Sequence, residues 1–129
     1  MRNFNKAKNF YRNTEKSSLQ SIDSIAIVKT MIGELKKSMD KVITSTGVDS
    51  QRQFRAKYFS RSLVIIYTLQ TTLDFEKEEN LAAKLFQLYE FCRQQLIKCF
   101  REQVVEGVKK AMNALEDIFV INNMRNNER

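Results

Sequence analysis

An all-α chain folded as an antiparallel four-helix bundle is the expectation from this sequence, and three observations produce it. Apolar side chains recur at helical spacing in four segments of roughly 20 residues each. Proline is absent, and there are only three glycines, Gly33, Gly47 and Gly107. The connections between the segments are short, which makes consecutive helices antiparallel neighbours.

Residues 1–20 are polar, Asn-rich and basic, with Phe4, Phe10 and Tyr11 as isolated aromatics, and are expected to form a mobile arm. The bundle is expected over residues 21–121, with a frayed polar tail over 122–129. Ser21 or Asp23 is the candidate cap of the first helix. Its apolar face follows at Ile25, Val28, Ile32, Leu35, Met39 and Val42, steps that alternate between three and four. Ile27 and Met31 widen that stripe, as contact with two neighbours requires. "TSTGVDSQ" breaks the chain at Gly47, with Asp49 or Ser50 as the next cap.

A second helix is expected from about Arg52 to Leu73, turning Phe59, Ile65, Ile66, Leu69 and Leu73 inward. "VIIYT" within it is rich in β-branched residues, but the period and length of its surroundings favour helix. The third helix starts near Glu79, with Leu81, Leu85, Leu88, Cys92, Leu96 and Cys99 as its inward stripe. Extending that register past Cys99 would bury Glu102 or Gln103 and then Glu106, so a turn is expected near Phe100 to Gln103. Beyond it a fourth helix carries Val105, Val108, Met112, Leu115 and Phe119.

At 129 residues the chain fits one domain that buries roughly two thirds of its unfolded surface without staples or metals. No apolar run is long enough to span a membrane, so no membrane insertion is expected. The basic N-terminus lacks the apolar core of a secretory signal. Cys92 and Cys99 stand about 10 Å apart along one helix, too far to bridge, so both are expected as buried free thiols of a cytoplasmic protein. There is no histidine, which removes the commonest general base and metal ligand; the glycines form no phosphate loop or nucleophile elbow. Neither enzymatic activity, a metal nor a cofactor is expected. The net charge is +7. Arg2, Lys6, Lys8, Arg12 and Lys16 contribute to it, and the remaining cations are mixed with acids along the helices, which disfavours a single nucleic-acid groove.

"DFEKEEN" gathers Asp74, Glu76, Glu78 and Glu79 between two apolar runs. A calcium loop would need a turn glycine and a distal glutamate that are missing. Acid–base chemistry would need a pocket and partner groups that are not evident. Acidic residues at the first turn of a helix face the positive end of its dipole, and that assigns the knot to a corner between helices two and three.

Around this corner, Ile65 to Phe100 resembles the FliS family of flagellar secretion chaperones. Ile65 and Ile66 match an isoleucine pair, and Leu69, Leu73 and Asp74 a leucine–leucine–aspartate helix end. Leu85, Leu88, Tyr89, Glu90 and Phe91 fall on a leucine–tyrosine–acid–aromatic signature. Tyr11 falls on an N-terminal tyrosine, and Leu115 and Phe119 take the places of a leucine and a usual tryptophan. Glu78 and Glu79 stand where the family usually has two glycines.

The resemblance implies a cytosolic bundle that binds the disordered C-terminal segment of flagellin, keeps it monomeric and presents it to the flagellar export gate. Apolar grooves between helices suit such a client, which folds as it binds. The candidate groove residues are Ile66, Leu69, Leu73, Leu85, Phe86 and Tyr89. Ile66 and the leucines serve equally as bundle core; Phe86 departs from the main stripe of its helix, and Tyr89 combines an apolar body with a polar tip. Phe10 and Tyr11 are candidates for a cover over the groove or a contact with the export gate. Monomer and homodimer both remain open. The alternative is a basic helical module binding nucleic acid or an acidic protein, whose mark would be steep salt dependence.

Overall fold

A computed structural model describes the backbone of residues 18–127 and the side chains of residues 25–118. Among the described residues four α-helices follow one another: α1 (Ser18–Ser45), α2 (Arg52–Thr71), α3 (Glu79–Glu102) and α4 (Glu106–Asn127), with one 3₁₀ turn at Asp49–Gln51. Each helix packs on its two neighbours, α1 on α2 and α4, α3 on α2 and α4.

The cross-helix contacts fix the directions. Ser45 meets Arg55, Lys41 meets Tyr58 and Glu34 meets Arg61, so α1 and α2 run antiparallel. Gln70 meets Phe86 and Phe59 meets Phe100, which makes α2 and α3 antiparallel too. Lys36 of α1 reaches Glu116 of α4 at 2.7 Å. The chain is the expected all-α bundle, and "VIIYT" is helical.

The core is a continuous cluster of Ile32, Leu35, Met39 and Val42 from α1, Ile66 and Leu69 from α2, Tyr89, Cys92, Leu96 and Cys99 from α3, and Val108, Ala111 and Leu115 from α4. Most of the expected stripes are there, with three shifts. Ile25 on α1 is exposed. The inward line of α3 begins with Ala82 and Tyr89, which pushes Leu81 into solvent and leaves Leu85 and Leu88 half-buried. Ala82 and Ala111 are buried small residues that a search for large apolar side chains passes over. α1 starts at Ser18, ahead of Ser21 and Asp23, and the α4 backbone continues helically past Asn122.

Two connections use left-handed backbone. Gly47, at φ +83°, ends α1 in a conformation a side chain would strain. Arg55 then reaches back from α2, its Nη1 donating to the Ser45 carbonyl at 2.7 Å, and so satisfies a terminal acceptor of α1.

The break between α3 and α4 falls at Gln103–Val105, beside the expected turn. Gln103 itself is left-handed at φ +60°, and its N–H donates to the Cys99 carbonyl at 2.8 Å. A non-glycine side chain in that region costs about 1 kcal/mol. Gln103→Gly is therefore expected to raise stability by up to about 1 kcal/mol in urea unfolding. A lower midpoint would show that the Gln103 side chain stabilises the turn in some other way.

Candidate functional site

The acidic knot folds as a corner. Asp74 turns its carboxylate onto the chain that follows, Oδ1 accepting from the N–H groups of Glu76 at 3.0 Å and Lys77 at 3.2 Å. The Asp74 carbonyl accepts from Glu78 N–H, and Glu78 in turn accepts from Ala82 N–H as α3 begins. Glu79 occupies the first turn of α3, where its charge faces the helix dipole. Among the described residues no group of three or more acidic or thiol side chains is placed to hold a metal ion.

The six groove candidates separate by burial. Ile66, Leu69 and Tyr89 are fully buried members of the core. In the free chain their place is beneath a surface and not on it. Tyr89 lies inward because α3 turns the Ala82–Tyr89–Leu96 line toward the other helices. Leu73, Leu85 and Phe86 are half-buried and can contribute to a surface. Phe86 is thus more enclosed than a side chain standing off the stripe would be. Phe10 and Tyr11 lie outside the described residues.

The three surface candidates do not form one patch. Leu81, Leu85, Leu88 and Gln95 share a flank of α3 by helical spacing, and the Gln95 side chain lies against Gly107 of α4. That flank, and Leu85 with it, faces α4. Phe86 lies on the other flank, with Glu90, Arg93, Ile97 and Phe100 at successive helical steps. This second flank faces α2: Gln70 Nε2 donates to the Phe86 carbonyl at 3.4 Å, and the Phe100 ring stacks on Phe59 at 4.2 Å.

The α2–α3 seam is where apolar surface accumulates. At the corner end Phe75 is 45% exposed, and its ring centroid lies 6.3 Å from that of Phe86. Tyr67 of α2, 63% exposed, shares a flank with half-buried Leu63 and Gln70. The exposed Phe100 closes the far end. From Ser62 to Leu73 the chain carries no charge, so α2 offers this seam an uncharged side. The Glu90–Arg93 pair is the polar interruption at its middle. Phe86 and Phe100 are separated by about 21 Å of helix, enough to receive about four turns of a partner helix. Sequence reasoning missed Tyr67, Phe75 and Phe100. The signal was there: an uncharged segment leaves apolar residues over once a helix has filled its inward face.

Cys92 and Cys99 are buried free thiols. Burial pushes Cys92 up to about 12 from an ordinary value of 9.0. The unfolded chain ionises first, so this thiol's contribution to stability is complete below about pH 9 and is lost as pH rises toward 12. The urea midpoint is expected to fall more steeply above about pH 9 in the native chain than in Cys92→Ala. Equal slopes would mean that Cys92 is not held neutral by the fold.

The α2–α3 seam thus combines an uncharged side from α2 with a side of α3 whose one charged group is the Glu90–Arg93 pair. The chain belongs to the FliS family, flagellar export chaperones: the family model described as flagellar protein FliS matches residues 5–120. No curated protein and no solved structure gives a significant match. Among the described residues no helix is long and apolar enough to cross a membrane. Family membership carries with it the binding of flagellar proteins.

Proposed function

We propose that the chain binds the disordered C-terminal segment of flagellin in the cytoplasm, holds it unpolymerised and presents it to the flagellar export gate. The observation that carries this reading is the α2–α3 seam, read together with family membership. Tyr67, Phe75, Phe86 and Phe100 offer exposed or half-exposed rings along the length of a short helix. A client segment lays its apolar positions along that line and becomes helical as it docks. Ordering the client costs free energy, which moderates affinity and permits release. Leu73 supports the corner end of the seam. Ile66, Leu69 and Tyr89 hold the two helices at the right spacing from below.

Phe10 and Tyr11 belong to this proposal as a cover over the empty surface or a contact with the export gate. Tyr11→Ala should then impair export of flagellin in cells more than it weakens client binding in solution. Normal export by that variant would discard the role.

Calorimetric titration with the C-terminal segment of flagellin from the same organism, at low and high salt, tests the reading. Near-stoichiometric binding, a negative heat-capacity change and little salt dependence are expected. Absence of binding, or affinity that falls steeply with salt, contradicts it.

A further inference from the structure

The α1–α2 half of the described side chains is more basic than the α3–α4 half. Residues 25–71, which make α1, the first connection and α2, carry eight lysines and arginines against three acids; residues 72–118 carry seven against nine. Three of those eight cations, Lys41, Lys57 and Arg61, act on one ring, that of Tyr58. Lys41 of α1 donates from Nζ to the Tyr58 hydroxyl at 3.2 Å, and the same nitrogen stands 4.3 Å from the ring centroid. Lys57 approaches the same ring at 5.4 Å. Phe54 lies one turn before Tyr58, 40% exposed, with ring centroids 4.7 Å apart. Arg61 follows on the same flank and is held by Glu34. Neither Lys41 nor Lys57 makes an ion pair with a described residue.

We propose that this α1–α2 flank, built from Lys41, Lys57, Tyr58 and Phe54, is a docking site for an acidic protein segment that carries an aromatic or aliphatic anchor. It is separate from the α2–α3 seam. Two unpaired cations converge on one point and can receive neighbouring carboxylates, while the exposed Phe54 face offers apolar contact beside them. Tyr58 serves as the platform between them. Its phenol is held below its ordinary value, first by the hydrogen bond from Lys41 and also by the charges of Lys41, Lys57 and Arg61, so the cations act on the ring together.

A nucleic acid fits this site poorly. Phosphate tracking needs a long run of cations, whereas this cluster is short and holds Glu34 within it. A peptide with a few carboxylates and one anchor matches both its size and its mixed chemistry.

The test uses the full chain and a flexible peptide of alternating Glu and Asp with one central Phe, followed by amide chemical shifts. A single-stranded oligonucleotide of equal charge is the comparison. The peptide is expected to shift amides around Lys41, Phe54 and Lys57, leaving those of the α2–α3 seam in place. Lys41→Glu with Lys57→Glu should weaken it at least about tenfold. Phe54→Ser should weaken it several-fold, with the salt dependence kept. Lys41→Gln with Lys57→Gln retains side-chain length and serves if the reversed pair fails to fold. Unchanged affinity in the charge variants overturns the proposal. So does a peptide footprint elsewhere, or tighter binding of the oligonucleotide at this flank. Flagellin-segment binding by the same variants is expected to be unaltered, so this proposal and that of the client seam fail separately.

Discussion

Tyr89→Ala is expected to destabilise the bundle by about 3–5 kcal/mol, the loss that follows removal of a large buried ring whose site cannot fully collapse. Tyr89 is 2% exposed and belongs to the central cluster with Cys92 and Leu96 on its own helix. For a domain whose whole stability is of the order of 5–15 kcal/mol, that is a large fraction. The measurement is the urea unfolding midpoint and slope, with client binding recorded under conditions where the variant remains folded. A stability loss with affinity retained in the folded fraction is the expected pair. A stable variant that binds its client poorly would return Tyr89 to the surface role that its place in the family signature implied.

Phe86→Ala is expected to do the reverse, with a modest loss of stability and a loss of client affinity of about 30-fold or more, as for an aromatic anchor. Phe86 is half-buried, lies beside Phe75 and faces α2 through its carbonyl contact with Gln70. The comparison is Val64→Ser. Val64 is the most exposed large apolar residue described, at 65%, but its place on α2 is outward and off the seam. If apolar exposure alone governed binding, Val64→Ser would weaken the client as much as Phe86→Ala does. The seam requires that it change affinity by no more than a few-fold. Leu85→Ala makes a second comparison, since Leu85 is equally half-buried but faces α4. Its expected effect is on stability.

The number, order and direction of the helices follow from the sequence because long amphipathic segments with few breakers leave little choice. Even the α3–α4 break was legible, since continuing one register would have buried Glu106. The site was harder to read for a physical reason. A helix three or four turns long has two flanks beside its inward face, and apolar residues on a flank look like core until the neighbours are placed. Ile66, Leu69 and Tyr89 were thus candidates for a surface although they are buried, while Leu81 looked like core and is exposed. A one-residue shift of the inward line of α3, permitted by Ala82, accounts for both outcomes on that helix. Leu85 and Phe86 are adjacent in the chain yet face different neighbours, because adjacent helical residues point about 100° apart. The cationic cluster on the α1–α2 flank needed the fold as well, since Lys41 and Tyr58 come together only across the first connection.

The most direct test of the client seam is an amide chemical-shift map of the full chain saturated with the C-terminal segment of flagellin. The predicted footprint runs along the facing flanks of α2 and α3, through Leu63, Tyr67, Gln70, Phe75, Phe86, Ile97 and Phe100, and spares the Lys41–Tyr58 flank. A footprint on α1 and α4 with the α2–α3 seam unchanged would contradict it.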